Sequence, residues 1–272
     1  MTNDLANVSV RRYPGMTEAS DGVAVEEPLE IALDYNDAGQ RKEMVAAITM
    51  RTPGDDELLA LGFLFTEGVV QSTADIKNVR QSEANRVEVV LSDQVQVNLA
   101  GLERHFYTTS SCGLCGKTSI DALKAVAPFP PDSPEPVIAA SALLKMPEIM
   151  AAAQSAFGRT GSTHAAALIN YSSGLVALAE DVGRHNALDK VIGQAFKSDS
   201  LPVSENVLLL SGRAGFELVQ KARMAGCPVV AAVGAPSSLA VELAWESDMT
   251  LIGFLRDGRF NIYSCPSRVT GN

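Results

Sequence analysis

Cys112 and Cys115 stand two residues apart in the run Ser110-Ser111-Cys112-Gly113-Leu114-Cys115-Gly116-Lys117, and they are two of only four cysteines in 272 residues. Two thiols at this spacing can bind a metal, exchange electrons as a dithiol, or carry sulfur. All three need thiolate, which is favoured where free backbone N–H groups and a helix dipole point at the sulfur. A helix is expected from Thr118 to Val126, directly after the pair. A closed zinc site needs four ligands, commonly two close pairs, and this chain offers one. Cys227, in Ala225-Gly226-Cys227-Pro228, and Cys265, in Tyr263-Ser264-Cys265-Pro266, have no near partner and read as small apolar fillers, so no metal ligand is assigned. A thioredoxin-type dithiol is expected just after a strand that opens a βαβ unit. The pair here follows the polar stretch Arg104-His105-Phe106-Tyr107-Thr108-Thr109, which suits a carrier thiol that must visit two partners.

Three further segments could hold a ligand. Ser211-Gly212-Arg213-Ala214-Gly215, Gly234-Ala235-Pro236-Ser237-Ser238 and Arg256-Asp257-Gly258-Arg259 each follow a strand-like run. The first two end where a helix begins, and a strand, glycine loop and helix start present free N–H groups to an anion. Arg213, Arg256 and Arg259 would face one edge, where guanidinium matches phosphate in a bidentate fork. Taken singly, each loop reads rather as an ordinary turn with solvated arginines, and the three together point to a ligand site; none carries a full P-loop or dinucleotide fingerprint. His164 precedes a strand in Gly161-Ser162-Thr163-His164. His185 lies in Glu180-Asp181-Val182-Gly183-Arg184-His185-Asn186, ahead of a helix that Asp181 or Asn186 could cap.

The elements that must position these residues fall into two sets. Residues 1–20 read as a flexible tail. Residues 21–126 form a strand-rich α+β part. Val23 to Leu33 and Met44 to Met50 make a hairpin about Asn36-Asp37-Ala38-Gly39, and a helix opens at Pro53-Gly54-Asp55-Asp56-Glu57 and ends before Gly68. Leu58, Leu61, Leu64 and Phe65 recur at helical spacing and read as core. Arg86 to Leu91 and Val95 to Leu99 form a second strand pair, and the cysteine loop follows. Residues 127–136, with five prolines, read as an extended linker. Residues 137–272 alternate short apolar strands with helices. A helix from Pro147 to Phe157 precedes strands at Ala165 to Asn170, Leu175 to Ala179, Val207 to Leu210, Val229 to Val233 and Thr250 to Phe254. This predicts an α/β layer with a mainly parallel sheet that binds ligands beyond its carboxyl edge.

Bulk properties narrow the partners. The net charge of −10 argues against a general nucleic-acid surface. The first residues carry no apolar signal segment, and no apolar run approaches the roughly 20 residues a bilayer span requires. A cysteine-poor acidic chain of this kind is expected in the cytoplasm, where thiols stay reduced.

At this point the chain resembles a known family. Arg51-Thr52-Pro53-Gly54-Asp55-Asp56-Glu57, Ser111-Cys112-Gly113-Leu114-Cys115-Gly116, Gly161-Ser162-Thr163-His164-Ala165-Ala166-Ala167, Glu180 through Lys190, Ser211-Gly212-Arg213, and Ala225-Gly226-Cys227-Pro228 through Ala240 are similar to the motifs of the FdhD family, the sulfur carriers that mature formate dehydrogenase. The resemblance runs from about Val23 to Val269. It implies a sulfurtransferase that takes persulfide sulfur from a cysteine desulfurase. The sulfur would pass to the molybdenum or tungsten bis(molybdopterin guanine dinucleotide), bound as a substrate, before that cofactor enters formate dehydrogenase. It places the persulfide on Cys112 with Cys115 assisting, and the cofactor on Phe254, Leu255, Arg256, Asp257, Gly258 and Arg259. Arg213, Gly234, Ser237, Ser238 and His164 complete the expected cofactor site. It also implies a homodimer and a cytidine-deaminase-like, three-layer second domain. Zinc deaminases use H-x-E and P-C-x-x-C. The counterparts here, His164-Ala165-Ala166 and Pro236-Ser237-Ser238-Leu239-Ala240, lack the glutamate and both cysteines, so only the pocket is expected to persist. A cofactor chaperone without sulfur chemistry and a dithiol oxidoreductase are the rival readings.

Overall fold

The computed structural model describes residues 4–97, 127–129 and 136–271. Cys112, Cys115, the helix expected after them and most of the proline-rich segment lie outside these residues.

The chain opens with a hairpin, not the tail its polar sequence suggested. β1 (Leu5–Arg12) pairs antiparallel with β2 (Thr17–Ala24). The hairpin buries no residue fully, so its strands lack the apolar alternation that announces a half-buried sheet. Pro14-Gly15 supplies its turn. Its base is held by the Asp4–Arg159 ion pair and by the Ala24 N–H donating to Ser162 Oγ at 3.2 Å.

β3 (Glu27–Asp37) and β4 (Gln40–Arg51) form the expected second hairpin, whose turn is closed by the Gly39 N–H donating to Asn36 Oδ1 at 2.9 Å. α1 (Asp56–Thr66) follows. β5 (Ile76–Glu83) and β6 (Arg86–Leu91) complete a four-stranded sheet in the order β4-β3-β6-β5, with β3 and β6 parallel. β6 is therefore flanked by β3 and by the polar, exposed strand β5; of its expected partner Val95–Leu99, Val95 and Val97 pack against the core without entering the sheet, and residues 98–99 lie outside the described residues. Asp56 does more than suit the dipole of α1. It takes a bidentate grip from Arg51, with Nε to Oδ1 at 2.8 Å and Nη2 to Oδ2 at 2.9 Å, and both residues are buried.

The second half adds β7 (Ile138–Ala139), the single-turn α2 (Ala140–Leu143), α3 (Met146–Ala153) and α4 (Ser155–Thr160). The expected continuous helix breaks at Gln154, which takes an extended ψ of 90°. Then come β8 (His164–Asn170), β9 (Gly174–Asp181), α5 (Arg184–Lys197), β10 (Asn206–Leu210), α6 (Phe216–Met224), β11 (Val229–Ala232), α7 (Ser238–Glu246), β12 (Thr250–Arg256), β13 (Arg259–Ser264) and β14 (Val269–Thr270). The main sheet runs β13-β12-β11-β10-β8-β9. Only β10–β11 and β11–β12 are parallel; the other three pairs are antiparallel, so the sheet is mixed where a mainly parallel one was expected. The reason is connection length. β8 joins β9, and β12 joins β13, through loops too short for a crossover. Only β10-α6-β11-α7-β12 keeps the strand–helix alternation.

α5, α6 and α7 cover one face of this sheet and α3 the other. α1 packs behind α5 and against the first sheet, which is why it is buried nearly all round. One apolar cluster runs from Leu29 and Phe65 through Val191 to Leu218 and Leu251, so the two halves share a core. Where α1 crosses α5 the backbones almost touch. A Cβ on Gly62 would lie 1.8 Å from the Asp189 carbonyl oxygen, and one on Gly193 would lie 1.9 Å from that of Leu58. Neither obstacle is a flexible side chain, so Gly193→Ala must push the helices apart. It is expected to cost at least about 2 kcal/mol, read as a lower urea midpoint at an unchanged slope.

Two buried polar nodes reinforce this seam. Asp181 accepts from the Thr52 N–H at 3.1 Å, from Lys190 Nζ at 2.8 Å, from the Gly183 N–H at 2.8 Å and from Asn186 Nδ2 at 3.1 Å. Lys190 Nζ also donates to the Thr52 carbonyl at 3.0 Å. In the second node Lys221 of α6 reaches across to α5 and α1: its Nζ lies 3.0 Å from both oxygens of Asp189, 2.8 Å from Thr66 Oγ1 and 3.2 Å from Glu67 Oε1. Asp189 and Glu67 hold the Lys221 ammonium above its ordinary range against the burial that would lower it.

Candidate functional site

The carboxyl ends of β10, β11 and β12 share one sheet edge, and the loops that leave them are laced together by backbone hydrogen bonds. The Gly234 N–H donates to the Gly212 carbonyl at 2.9 Å, Ala214 to Ala235 at 3.2 Å, Ser237 to Ala214 at 3.0 Å and Phe254 to Gly234 at 3.0 Å. This corrects the expectation of free N–H groups there: at 214, 234, 237 and 254 they are spent on neighbouring loops. Glycine makes the approach possible, since a Cβ on Gly234 would meet the Gly212 carbonyl oxygen at 2.9 Å. Ser237 is occupied as the N-cap of α7, its Oγ accepting from the Ala240 N–H at 3.3 Å, and Ser238 begins the helix, exposed.

The arginines are placed by this lacing. Arg213 is exposed beside Gly234. β12 reaches past the edge through a bulge between Gly253 and Arg256, where Phe254 takes a positive φ of 55°. The bulge sends Leu255 into the core and leaves Phe254 half-buried, with the Arg256 guanidinium 5.9 Å from its ring centre. Asp257 and Gly258 form the turn, and Arg256 and Arg259 face each other across it, exposed. Among the described residues the ion-pair partner of Arg256 is Asp257, at 3.8 Å. Among the described residues Arg213 and Arg259 enter no hydrogen bond or ion pair. Arg213 thus sits at the Gly212–Gly234 crossing, and the other two sit on a turn beyond it.

His164 opens β8 opposite Asp181 and lies against Gly212, whose Cβ would approach its Nδ1 to 3.4 Å. Burial pushes the imidazole below its ordinary value of 6.5, and the charges of Arg184 and His185 push the same way. The folded state therefore prefers neutral His164. That preference contributes stability above about pH 6.5, and the contribution is lost as the pH falls through the depressed value. His164→Gln is expected to show a shallower loss of melting temperature between pH 7 and pH 5.

The resemblance implied functional residues here but not the structural roles of their neighbours. His185 donates toward Glu217 Oε2 at 2.9 Å, tying the first turn of α5 to that of α6 and holding the Glu217 carboxyl low. Asp181 and Asn186 do not cap α5 in the usual way; they knit its start to Thr52 and Met50. Glu180, the next residue along β9, turns to the opposite sheet face. There it accepts from the backbone N–H groups of Ala156 at 2.8 Å and Phe157 at 2.7 Å, and from Thr163 Oγ1 at 2.9 Å, so it caps α4. Two acidic residues in a row on a strand must face opposite ways, which is the signal that could have assigned both.

At two of the positions aligned above with the zinc-deaminase motifs, Ala166 is fully buried in the strand and Ala240 in α7, and among the described residues no three His, Cys, Asp or Glu side chains converge on a point. Cys227 and Cys265 are buried, and burial pushes the thiol of Cys227 up to about 11 and that of Cys265 in the same direction. No described helix is long and apolar enough to cross a membrane.

Comparison with known proteins places this architecture. The protein from Streptomyces coelicolor named sulfur carrier protein FdhD is 48% identical over 259 residues, covering 92% of this chain and 89% of its own. The proteins of the same name from Mycobacterium tuberculosis and Saccharolobus solfataricus are 46% and 40% identical, covering 91% and 92% of this chain and 91% of each of their own. A chain from Desulfotalea psychrophila, whose crystal structure bears the label of a formate dehydrogenase accessory protein, superposes with a TM-score of 0.74 at 25% identity over 98% of both chains. The model of the FdhD/NarQ family matches residues 24–270, and the chain belongs to that family.

Proposed function

We propose that this chain is a sulfur carrier that loads a persulfide on Cys112 and passes the sulfur to the molybdenum or tungsten bis(molybdopterin guanine dinucleotide) destined for formate dehydrogenase. One observation carries the reading: relatives named sulfur carrier proteins match nine-tenths of the chain, and the sequence holds a single close thiol pair.

The chemistry balances without an added oxidant. The Cys112 thiolate attacks the outer sulfur of a cysteine desulfurase persulfide. A new S–S bond forms at Cys112, the old one breaks, and the desulfurase departs as thiolate. Cys115 then attacks the inner sulfur of the Cys112 persulfide. The two cysteines join as a disulfide and the outer sulfur leaves as sulfide, which the cofactor's metal takes as a ligand. A dithiol reductant restores the pair. The cofactor, as substrate, is held at Phe254–Arg259 with Arg213, Gly234, Ser237, Ser238 and His164. Its phosphates suit the guanidinium groups of Arg213 and Arg259, which enter no hydrogen bond or ion pair among the described residues. The protein acts in the cytoplasm as a homodimer.

Incubation with a cysteine desulfurase and cysteine, followed by mass spectrometry, is expected to find one extra sulfur on the peptide that contains Cys112. A wild-type protein that stays unloaded would refute the proposal.

A further inference from the structure

β10, β11 and β12 run parallel, so their starts share a second sheet edge, opposite the laced loops. The β8–β9 turn lies on it too, because Asn170 at the end of β8 pairs with Asn206 at the start of β10. Two large aromatic side chains stand out from this amino edge. Trp245, the single tryptophan of the chain, is 56% exposed at the end of α7. Tyr171, in the β8–β9 turn, is 48% exposed, and Val176, near the start of β9, is exposed as well. β8 and β12 are three strand spacings apart, roughly 14 Å, so the two aromatics fit within one protein contact. Tryptophan and tyrosine are the side chains that most often anchor such contacts.

Between them the edge is acidic. Asp199 and Glu205 are exposed in the connection that leads into β10, and Asp248 in the one that leads into β12. Of the basic residues described there, Lys197 is paired with Glu57 and Arg268 with Asp248, and Arg223 is half-buried on α6. The opposite edge carries Arg213, Arg256 and Arg259, so the sheet is electrically two-ended. The chain that leaves the cysteine pair is fastened at the acidic end. Phe129, in the first described stretch after Cys112 and Cys115, packs against the core in the α6–β11 turn. A Cβ on Gly226 there would lie 2.5 Å from Pro202 Cβ and 3.0 Å from Phe129 Cβ, so the bare glycine makes the seat.

We infer that this amino edge is the docking surface for the protein that donates the sulfur, a partner with a basic face and an apolar pocket for Trp245. It rests on the carrier reading above and deepens it by naming where the donor sits. Place and charge both point this way. In that reading the cofactor's phosphates occupy the arginines of the carboxyl edge, so the enzyme that receives the cofactor approaches there. The donor needs the thiol and not the cofactor, and the segment that carries the thiol is fastened at the amino edge. An acidic rim around exposed aromatics selects a basic partner and speeds its approach. A second copy of this chain would bring an equally acidic edge against this one, which like-charge repulsion disfavours.

Fluorotryptophan labelling of the full chain gives one fluorine resonance, from Trp245, and unlabelled partners are silent. Cysteine desulfurase, added without cysteine, is expected to shift or broaden it, and formate dehydrogenase is not. In the loading assay Trp245→Ala should raise the half-saturating desulfurase concentration about tenfold and leave the rate at saturation unchanged. Glu205→Lys should raise it about threefold, and more at low salt. Tyr13→Ala, at the exposed tip of the first hairpin, should change neither quantity. The inference is overturned if the resonance ignores desulfurase, or if it moves instead with formate dehydrogenase or with the concentration of this chain alone. It is equally overturned if Trp245→Ala and Glu205→Lys keep the wild-type half-saturation and circular dichroism spectrum, or if Tyr13→Ala weakens loading as much as Trp245→Ala does. Sulfur loading of the wild-type protein is scored separately by mass spectrometry. Loading with an unmoved resonance defeats the docking edge and leaves the carrier standing, whereas a moved resonance without loading does the reverse.

Discussion

Cys112→Ala is expected to abolish sulfur loading, while Cys115→Ala still loads but fails to release sulfide. The size of the first effect follows from what could replace Cys112. Nucleophilic attack on a persulfide needs thiolate. Cys227 is 2% exposed, with its thiol pushed up to about 11, so only about one molecule in ten thousand would be ionised at pH 7, against a few per cent for an ordinary exposed cysteine. Cys265 is also buried and shifted upward. Residual loading on the two buried thiols should therefore fall below about 1% of wild type. Cys115 is the only other candidate acceptor, and Cys112→Ala/Cys115→Ala closes it. Peptide mass spectrometry after a timed exposure to desulfurase and cysteine separates the cases. Loading of Cys112→Ala at the wild-type rate would show that the assignment of the two cysteines is wrong.

The elements that bury apolar side chains on a regular period were legible in the sequence; those held by polar contacts were not. β8, β10, β11 and β12 carry continuous apolar runs, and α5 to α7 carry an apolar stripe, so their positions follow from period and length. β1, β2 and β5 bury no residue fully and left no such trace. The mixed sheet could have been anticipated from the short Tyr171-Ser172-Ser173 and Asp257-Gly258 connections, which permit only antiparallel neighbours. At the site, the glycines and arginines of the three loops were visible as residue types. Their backbone lacing was not, because it depends on how closely Gly212 and Gly234 approach. The role of Glu180-Asp181 was hidden for the same reason: its partners, Phe157 and Thr52, are distant in sequence.

Lys190→Met is expected to cost about 4 kcal/mol, the largest loss among single polar substitutions in the described core. Lys190 and Asp181 are 2% and 0% exposed, with Nζ 2.8 Å from Oδ2. Methionine fills the volume of the lysine stem, so the change removes the charge without opening a cavity. Asp181 then loses its counter-charge inside the core, and the Thr52 carbonyl loses its donor. The damage is local in a way that unfolding alone would not reveal. Asp181 pairs with His164 across β8–β9, and Thr52 ends the hairpin of the first half, so the node fixes the site edge to the β3–β4 sheet. Amide exchange at Thr52 and Gly183 should accelerate in the variant more than exchange in β11, whose hydrogen bonds are remote from the node. Adding Asp181→Asn supplies the control. It removes the stranded charge and keeps an oxygen to accept from Thr52 or Gly183, so the double variant should be more stable than the sum of the single losses predicts, by at least about 1.5 kcal/mol. Strict additivity would mean that the lysine acts through packing, with no share in the ion pair.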